Sequence, residues 1–392
     1  MRVAYVTTDP GIPAFGSKGA SIHVQAILTA FVRRGAEVTL FAPEVGPAFG
    51  HVPPSLAGLR IVPLPVGPKG APELRADALL ATDAGLPDRL AGEGPFDLLY
   101  ERHALFTSGA TAFAAARGLP SVLEVNAPLL EEQARHRSLV RRREAEATTR
   151  SSMRAASRVV AVSEAVADYA RTHGARAPLV VPNGVDPARF AAQPRFEGPF
   201  TAGFVGTLKP WHDTATLVAA LPLLRTRVPD ARLLIVGDGP ERERLAAAAQ
   251  ALGLVDAIEF TGALPPDRVP EQIARMHAGV APYRGGDPFY FSPLKLYEYM
   301  AAGLPVVASD VGGLTRIIAK AGCGCTVPPD DSAALAAALA DLAQEPERAA
   351  NLGAAGRVHV AAHHGWDRVL DRILAGLNGS DGRVATDARG VA

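Results

Sequence analysis

The chain has 392 residues, and its 40 Lys and Arg residues balance its 40 Asp and Glu residues to a formal net charge of zero at pH 7. This length exceeds one comfortable hydrophobic core, so two domains are expected. The charge balance argues against recognition of nucleic acid, or of another strongly anionic partner, through the overall field of the protein.

Cysteine usage and hydropathy indicate the compartment. The only cysteines, Cys323 and Cys325, are too close together to suggest a disulfide framework, which favours a reducing environment in which both pack as small apolar residues. Residues 1–6 read as a strand rather than a signal peptide, and no run of eighteen apolar residues could span a membrane. We therefore expect a cytoplasmic protein without a transmembrane segment; peripheral membrane contact is the less favoured alternative.

Short apolar runs alternate with Ala-rich amphipathic segments along the chain. The predicted strands of the first series are 3–6, 38–41, 98–100, 122–125 and 159–162. Those of the second series are 204–205, 233–236, 258–260, 279–281 and 306–308. Such alternation predicts the α/β class, with two Rossmann-like parallel sheets connected by helices.

The boundary between the two series is marked by a Pro-Asn-Gly turn at 182–184 and by the Pro- and Gly-containing segment that follows it. We predict an N-terminal domain at 1–184 and a C-terminal domain at 185–365. The periodicity beyond them predicts an amphipathic helix at about 366–378. The tail at 379–392 has almost no large apolar residue and is expected to be disordered.

The clearest functional signal lies at residues 289–307. Ser292 is a helix-capping residue type and Pro293 suits the first helical position, which predicts a helix whose free amides form an anion site. Lys295 and Glu298 are three residues apart and therefore share a face of that helix. A phosphate could bind the amides and Lys295 while the Glu298 carboxylate accepts hydrogen bonds from sugar hydroxyls. The alternative is an ordinary helix with a surface ion pair.

Two strand ends in the second series carry residues suited to a nucleotide. A glycine turn at 237–239 follows a buried strand, and the missing side chains would let a ligand approach the backbone. Lys209 follows the strand at 204–205 and could meet a diphosphate. The alternatives are a simple tight turn and a solvated lysine.

In the first series, two strands are also followed by loops that carry residues suited to a ligand. Gly19 and Ala20 precede a helix whose start a phosphate could approach, and His23 in its first turn either faces a ligand or is packed. Glu124 and Asn126 lie on one side of a strand end that fits a cleft.

An arginine-rich stretch at 131–158 reads as one long helix. A solvated helix with internal ion pairs is favoured over contact with a membrane or an anionic acceptor. The expected pairs are Arg141 with Glu144, and Arg142 or Arg143 with Glu146.

Taken together, these segments resemble the retaining glycosyltransferases of family 4, group 1, whose GT-B architecture has two Rossmann-like domains facing across a cleft. The likeness extends to about Leu377 and includes the motifs Lys-Pro-Trp-His, Leu-Glu-Val-Asn-Ala-Pro and Phe-Ser-Pro-Leu-Lys-Leu, which mark a subgroup. It implies a C-terminal helix that crosses back to the N-terminal domain. It also implies a nucleoside diphosphate sugar as donor, with UDP favoured, and no cofactor or bound metal.

The chain departs from the family pattern at three places. The family often has two glutamates eight positions apart, and the position eight before Glu298 is Tyr290. The family's Arg and Lys on the diphosphate fall on Thr207 and His212, and its cleft histidine falls on Asn126.

The predicted function is transfer of a sugar to an acceptor hydroxyl with retention of the anomeric configuration. Catalytic roles are predicted for Lys209, Lys295, Glu298 and Asn126. Donor contacts are predicted for Gly16, Gly19, Ala20, Thr207, His212, Gly237, Asp238, Gly239, Tyr290, Ser292, Pro293 and Leu294. Acceptor contacts are predicted for His23, Glu124 and Arg135. A surface glycan, a lipid carrier and a natural-product aglycone all remain open as the acceptor.

Two other functions remain open on the same architecture. A nucleotide-sugar epimerase or hydrolase would need an acid/base pair, for which Glu124 and His103 are the candidates. A non-catalytic nucleotide-sugar sensor is suggested by the three departures from the family pattern.

Overall fold

The protein is represented by a computed structural model that describes residues 1–43, 52–136, 138–190, 198–286 and 288–377. Two all-parallel sheets follow one another along the chain, the first with seven strands and the second with six. The predicted fold class is confirmed. The expected disordered tail at 379–392 lies outside the described residues, and the domain boundary near residue 185 stays a prediction.

The first sheet has the strand order β3-β2-β1-β4-β5-β6-β7. Its strands are β1 (Arg2–Thr7), β2 (Glu37–Pro43), β3 (Arg60–Leu64), β4 (Leu98–Arg102), β5 (Ser121–Val125), β6 (Arg158–Ala161) and β7 (Leu179–Val180). The helices between them are α1 (Gly19–Arg33), α2 (Pro72–Glu93), α3 (Gly109–Ala116), α4 (Leu129–His136), α5 (Arg142–Ala155) and α6 (Glu164–Thr172).

The second sheet has the strand order β10-β9-β8-β11-β12-β13. Its strands are β8 (Thr201–Val205), β9 (Arg232–Val236), β10 (Ile258–Gly262), β11 (Ala278–Ala281), β12 (Val306–Ser309) and β13 (Gly324–Val327). The remaining helices are α7 (Thr214–Arg227), α8 (Arg242–Ala251), α9 (Val269–Ile273), α10 (Leu294–Ala302), α11 (Leu314–Ala321), α12 (Ser332–Gln344), α13 (Pro346–His363) and α14 (Trp366–Leu374).

Short 3-10 helices occupy Pro54–Leu56, Pro187–Phe190, Pro210–His212 and Val255–Ala257. In each sheet the strand order reverses direction next to the first strand, between β1 and β4 and between β8 and β11. Loops leaving the carboxyl ends of two such strands diverge, and the crevice between them is where open α/β sheets bind ligands. The topology therefore predicts a ligand-binding crevice at the carboxyl edge of each sheet.

The C-terminal helix α14 packs against α1 of the first half, as predicted. Its apolar face joins the core of that half through Trp366, Val369, Leu370 and Ile373. Arg158 of β6 donates hydrogen bonds of 2.7 Å from Nη1 to the carbonyl oxygens of Ile373 and Ala375, which satisfies the end of the helix. The chain thus returns to the N-terminal half after completing the second sheet.

All ten predicted strands are present, but three further strands of the structure were not predicted. β3 and β7 lie at the edges of the first sheet, and β13 lies at an edge of the second. Edge strands are half-exposed and short, so their sequences lack a continuous apolar run; Pro63 inside β3 also suits an edge position. Cys323, just before β13, is buried, and Cys325, within β13, is half-buried; both are free thiols, as expected.

The prediction of one long helix at 131–158 is wrong. The segment forms α4 and α5, because Arg141 adopts a left-handed backbone with φ of 48° between them. The Arg141 guanidinium pairs with Asp77 at 2.9 and 3.0 Å rather than with Glu144. The predicted pair of Arg142 with Glu146 is present at 3.5 Å.

Within the described ranges, no helix combines the length and the apolar character needed to cross a bilayer. Nor do three or more His, Cys, Asp or Glu side chains in these ranges come together as a metal-binding group.

Candidate active site

A cavity of about 380 Å³ opens between the two halves of the molecule. Its wall takes residues from the start of α1 and the ends of β4 and β5 on one side. On the other side it takes residues from the ends of β8 and β9 and the first turns of α10. The cavity therefore lies at the carboxyl edges of both sheets, where the strand order reverses.

The starts of α1 and α10 meet at this cavity. A Cβ built on Gly19 would lie 3.5 Å from Cδ1 of Leu294, so the first turns of the two helices are in contact. Among the described residues, no N-cap side chain is hydrogen-bonded to the free amides of either helix. Two helix N-termini with partial positive charge thus approach one cavity from opposite sides, which suits an anionic ligand.

Ser292 does not cap α10, contrary to prediction. The helix begins at Leu294, and Pro293 is the residue before it, one position later than expected. The Ser292 hydroxyl accepts a hydrogen bond of 2.9 Å from the backbone N–H of Asn183 instead. The hydroxyl is engaged by the other half of the molecule, so the helix amides stay open to the cavity.

Lys295 is a buried cation in the cavity wall. Its Nζ lies 4.4 Å from the ring centre of Phe204 and 5.3 Å from that of Tyr283. Burial lowers the pKa of Lys295 to about 7, although the nearby Glu298 carboxylate opposes that shift. Because no carboxylate among the described residues forms an ion pair with Lys295, a bound anion would restore its charge and its solvation.

Glu298 lies on the same face of α10 and also lines the cavity, as the spacing predicted. Burial raises the pKa of its carboxyl group, and Arg189 and Lys295 partly offset that rise. Arg189 belongs to the 3-10 helix at Pro187–Phe190 and is held by a 2.6 Å hydrogen bond from Nη2 to the carbonyl oxygen of Pro266. The carboxylate can accept hydrogen bonds from two hydroxyl groups of a sugar.

The glycines at the ends of β8 and β9 are required by close backbone contact. Gly206 and Gly237 have φ of 145° and 135°, and a Cβ on Gly237 would lie 2.0 Å from the carbonyl oxygen of Gly206. Gly237 and Asp238 line the cavity. Gly239 does not; a Cβ there would lie 2.5 Å from the carbonyl oxygen of Leu208, so its role is packing of two loops.

His212 reaches the cavity as a neutral side chain. Its Nδ1 donates a 2.6 Å hydrogen bond to the carbonyl oxygen of Thr207. Burial and the positive charge of Lys295 lower the pKa of His212 to about 3. Its Nε2 is therefore available as a hydrogen-bond acceptor.

A chain of hydrogen bonds joins the two halves beside the cavity. The Glu124 carboxylate, 2% exposed, accepts 2.7 Å bonds at Oε1 from His23 Nε2 and from the Tyr100 hydroxyl. His23 Nδ1 lies 2.8 Å from Oδ1 of Asn183, and the Asn183 amide nitrogen donates at 2.6 Å to the carbonyl oxygen of Ser292. That last bond turns the amide oxygen toward His23, so each ring nitrogen of His23 faces an acceptor oxygen.

The charge of Glu124 follows from these contacts. Burial alone would raise its pKa, but the charges and hydrogen bonds of His23, Arg102 and Tyr100 outweigh burial and lower the pKa to about 2. Glu124 is therefore an ionised group beneath His23 and does not line the cavity.

Thirteen of the predicted site residues line the cavity and six do not. The thirteen are Gly19, Ala20, His23, Asn126, Thr207, His212, Gly237, Asp238, Ser292, Pro293, Leu294, Lys295 and Glu298. Those away from the wall are Gly16, Glu124, Arg135, Lys209, Gly239 and Tyr290.

Three of these six have clear packing reasons. The Gly16 amide bonds the carbonyl oxygen of Pro13 at 3.0 Å. Lys209 extends toward Trp211, with Nζ 5.7 Å from the ring centre. Tyr290 packs on Phe291 at 4.2 Å between ring centres, and its carbonyl oxygen accepts from the Ser163 hydroxyl at 2.7 Å.

Sequence reasoning missed Arg102, Asn183 and Arg189 in the wall. Arg102 ends β4, a strand whose last residues are polar. Polar residues at a strand end could have predicted a place in the cavity wall. In the sequence, Asn183 was interpreted only as part of the turn at 182–184 that separates the two predicted domains. Arg189 carries no local signal, because its position depends on the fold of the preceding segment.

The acid/base pair of the epimerase or hydrolase alternative is not formed. His103 is buried with neither ring nitrogen hydrogen-bonded, and Glu124 is engaged by His23 and Tyr100. Neither His103 nor Glu124 lines the cavity.

Comparison with known proteins places this architecture in a family. A model described as Glycosyltransferase Family 4 matches residues 17–189, and a model described as Glycosyl transferases group 1 matches residues 199–345. The chain is 32% identical over 227 residues to a GDP-mannose-dependent alpha-(1-6)-phosphatidylinositol monomannoside mannosyltransferase of Mycobacterium tuberculosis, covering 54% of this chain and 59% of that protein. It is 37% identical over 203 residues to a phosphatidyl-myo-inositol mannosyltransferase of Mycolicibacterium smegmatis, covering 50% of each.

The aligned part of the chain thus spans little more than half the length of these curated relatives. Solved structures match the fold over nearly the whole chain. Sucrose-phosphate synthase from Thermosynechococcus elongatus aligns with a TM-score of 0.71 at 22% identity, covering 94% of this chain and 96% of that one. The Anabaena protein HepE, solved with UDP-glucose, aligns with a TM-score of 0.69 at 19% identity, covering 95% and 98%. With two adjoining family models and two facing Rossmann-like halves, the chain belongs to the group 1 glycosyltransferases of family 4 and has the GT-B fold.

Proposed function

We propose that this protein transfers a sugar from a nucleoside diphosphate sugar to an acceptor hydroxyl, with retention of the anomeric configuration. The observation that carries the proposal is the approach of two uncapped helix N-termini to one cavity that also contains the buried ammonium of Lys295. A diphosphate is the ligand whose charge and size suit two positive helix ends and a cation together.

The donor would be held mainly by the second half. Amides at the starts of α1 and α10, with Lys295, would bind the diphosphate. The Glu298 carboxylate would accept hydrogen bonds from the ribose hydroxyls, and the backbone at Gly237 and Asp238 would form the wall behind the nucleoside. In this assignment residues 185–365 form the nucleotide-binding domain, and residues 1–184 with the C-terminal helix form the acceptor-binding domain.

The chemistry needs little beyond electrostatics and orientation. The bond from the anomeric carbon to the diphosphate oxygen breaks, and negative charge develops on the leaving group, where Lys295 and the helix amides stabilise it. The acceptor oxygen bonds to the anomeric carbon on the same face, and its proton passes to an oxygen of the leaving diphosphate. Asn126 and His23 would orient the sugar or the acceptor. No residue is required as a separate base.

Lys209 is a weaker candidate for diphosphate binding than Lys295. Its Nζ is directed at Trp211 outside the cavity wall, so it would contribute only after a movement of its loop. No bound metal is required in this proposal, since the cation and the amides would neutralise the diphosphate.

UDP and GDP are the donor nucleotides to test first. UDP is our preferred donor because the fold matches HepE, which was solved with UDP-glucose. GDP is the competing choice because the M. tuberculosis relative is named as GDP-mannose-dependent. A surface glycan, a lipid carrier and a natural-product aglycone remain the acceptor classes, and the cytoplasm is the expected compartment.

The first experiment is thermal unfolding of the purified protein with UDP, GDP, dTDP and ADP and with their common sugar conjugates. A ligand at one hundred times its dissociation constant stabilises a protein by about 2.7 kcal/mol, which shifts Tm by several degrees. We expect one nucleotide to give this shift in the wild type and not in Glu298→Ala. Glu347→Ala, on the exposed surface of α13, is the matched control and should behave as wild type.

Turnover is then followed as release of the nucleoside diphosphate, with and without EDTA. Release from the sugar conjugate of the stabilising nucleotide supports the proposal, and its persistence in EDTA supports metal independence. If no nucleotide stabilises the protein, the proposed function is wrong. Binding without any turnover across a broad acceptor panel would favour a nucleotide-sugar sensor instead.

A further inference from the structure

The cavity wall contains Arg102, a buried cation that the proposed function leaves without a role. Arg102 ends β4 and is 6% exposed. Its guanidinium forms no hydrogen bond to any described residue, and its Nη1 is fully buried without a hydrogen-bond partner among them. The nearest carboxylate oxygen is Oε2 of Glu124, at 3.7 Å from Nη1. A buried guanidinium with open donors is costly unless a ligand completes its hydrogen bonding.

Charge balance around Arg102 also points to a missing anion. Glu124 is shared between Arg102 and His23, and His23 faces hydrogen-bond acceptors at both ring nitrogens. Glu124 is therefore already hydrogen-bonded by His23 and is not a dedicated partner of Arg102. Within the described parts of the chain, no other carboxylate comes within 4 Å of the Arg102 guanidinium. Arg102 therefore has no carboxylate of its own to balance its charge.

Asn126 provides a second open donor at the same edge of the sheet. β4 and β5 are neighbouring parallel strands, with Arg102 paired in register with Glu124, two residues before Asn126. The Asn126 amide nitrogen is buried without a hydrogen-bond partner in the described parts of the chain, and both Arg102 and Asn126 line the cavity. A guanidinium and an amide N–H₂ group at the ends of neighbouring strands both lack an acceptor among the described residues, which suits a carboxylate or phosphate oxygen.

The donor diphosphate is expected elsewhere. Its proposed site is formed by the starts of α1 and α10 and by Lys295, whereas Arg102 ends β4 and Asn126 follows β5. The open donors of Arg102 and Asn126 thus come from strand ends of the first sheet, and not from the helix starts and the lysine proposed to hold the diphosphate.

We propose that Arg102 and Asn126 bind an oxyanion, a carboxylate or a phosphate group, carried by a substrate in addition to the donor diphosphate. The inference rests on the proposed function, because it assigns a substrate to the same cavity. The oxyanion comes from one of two sources: the transferred sugar, as in a uronic acid, or the acceptor, as in a sugar phosphate or a phospholipid head group. It makes Arg102 a specificity-determining residue.

The first arm of the test examines the sugar. Binding of UDP-glucose and UDP-glucuronic acid to the full chain is measured by calorimetry, or of GDP-mannose and GDP-mannuronic acid if GDP is the nucleotide that binds. If the sugar carries the oxyanion, the wild type should prefer the charged conjugate about 10- to 100-fold, the range for a hydrogen bond to a charged group.

The second arm examines the acceptor. The protein is saturated with the nucleoside diphosphate and titrated with inorganic phosphate, glucose 6-phosphate and glucose. If the acceptor carries the oxyanion, the two phosphates should bind at least tenfold more tightly than glucose. The protein without nucleotide is titrated with inorganic phosphate as well, so that this arm reports on Arg102 even if nucleotide binding fails.

Three variants make the result specific. Arg102→Met and Asn126→Asp should both abolish the preference for the charged probe. Asn126→Asp should do so because its new carboxylate would lie where the oxyanion of the ligand binds. Arg102→Lys should keep part of it, and Arg143→Met, an exposed arginine of the same half, should keep all of it. If Arg102→Met does not fold, Asn126→Asp still tests the proposal, since Asn126 is only half-buried.

The proposal is overturned if the wild type binds charged and neutral probes within threefold in both arms. It is also overturned if the preference survives in Arg102→Met and Asn126→Asp. Loss of nucleoside diphosphate affinity in Arg102→Met, with no charge preference in the wild type, would assign the guanidinium to the donor diphosphate. In each of these cases nucleotide binding by the wild type keeps the proposed function intact.

Discussion

His23 and Asn183 are joined by a 2.8 Å hydrogen bond between Nδ1 and Oδ1, which links α1 of the first sheet to the segment that leads into the second. Asn183 continues the link by two hydrogen bonds to Ser292, from its backbone N–H at 2.9 Å and its amide nitrogen at 2.6 Å. Ser292 precedes the helix that carries Lys295. The position of that helix relative to the start of α1 therefore depends on Asn183.

Replacing Asn183 by Ala should lower stability and donor affinity together. The change leaves His23 Nδ1 and the Ser292 carbonyl oxygen without partners, which costs about 1 to 3 kcal/mol in the free energy of unfolding. Urea unfolding measures this loss, and calorimetry with the donor nucleotide measures affinity. Asn351→Ala, at an exposed position of α13, is the matched control.

A double-mutant cycle tests whether His23 and Asn183 act together. The changes His23→Phe and Asn183→Ala should be non-additive by about 0.5 to 3 kcal/mol, because either one removes the same hydrogen bond. Additive effects on unfolding would contradict the link as described.

Donor affinity should depend on pH through Lys295. Burial lowers its pKa to about 7 in the free protein, and a bound diphosphate favours the charged ammonium and raises the pKa. Affinity should therefore be constant below about pH 7 and fall by about tenfold per pH unit above it, until the pKa of the complex is reached.

Calorimetry with the nucleotide sugar in buffers of different ionisation enthalpy measures the proton uptake that this coupling requires. The nucleotide sugar is the right ligand because its diphosphate has no ionisation near neutral pH. Lys295→Arg should remove the pH dependence, since arginine stays charged, and exposed Lys320→Met should leave it unchanged. An unchanged profile in Lys295→Arg would assign the dependence to another group.

Stability should fall as pH rises through the neutral range because of Glu101. This residue of β4 is fully buried, and burial together with the Asp83 carboxylate raises its pKa to about 8 from the ordinary value of 4.5. Between these values the folded protein keeps a proton that the unfolded chain has released. The Glu101 contribution to stability is thus complete below about pH 4.5 and is lost toward pH 8, with a slope of at most about 1.4 kcal/mol per pH unit.

Glu101→Gln, neutral at every pH, should remove this slope. The variant should unfold at higher temperature than the wild type at pH 8, and the advantage should shrink at pH 5. Glu347→Gln on the surface is the control and should follow the wild-type profile. If Glu101→Gln keeps the wild-type slope between pH 5 and 8, the folded protein does not hold the proton at Glu101.

Gly237→Ala should be strongly destabilising. The residue has φ of 135°, and the added methyl group would lie 2.0 Å from the carbonyl oxygen of Gly206. Backbone strain and overpacking together should cost about 2 to 5 kcal/mol in the free energy of unfolding. Donor affinity should fall as well, because Gly237 lines the cavity.

Gly85→Ala is the matched control for Gly237→Ala. Gly85 lies inside α2, and nothing lies within 4 Å of its added methyl group, so the change should stabilise by about 0.5 to 1 kcal/mol. Denaturant titration of both variants measures the contrast. A tolerated Gly237→Ala would mean that the turns after β8 and β9 can separate without loss.

Much of the fold was readable from the sequence because interior strands of parallel sheets are continuous apolar runs. Val3 to Val6 are fully buried in β1, and Leu234 to Val236 are at most 2% exposed in β9. The edge strands β3, β7 and β13 lack such runs and were missed. The break at Arg141 was missed because its partner, Asp77, lies on a distant helix.

For the candidate site, too, the sequence predicted some features and not others. The spacing of Lys295 and Glu298 determined by itself that both share one helix face, because a helix repeats every 3.6 residues whatever surrounds it. Sequence also determined that Gly237 follows a buried strand. These are properties of neighbouring residues in the chain.

Tertiary structure alone decided which polar residues share the cavity. Glu124 and Asn126 are two residues apart at a strand end, yet Glu124 is buried beneath His23 while Asn126 lines the wall. Arg102 and Lys295 come from different sheets and become buried cations in one cavity only when the halves pack together. Burial and hydrogen-bond partners depend on residues far apart in sequence, and these set the charges by which the site would recognise a ligand.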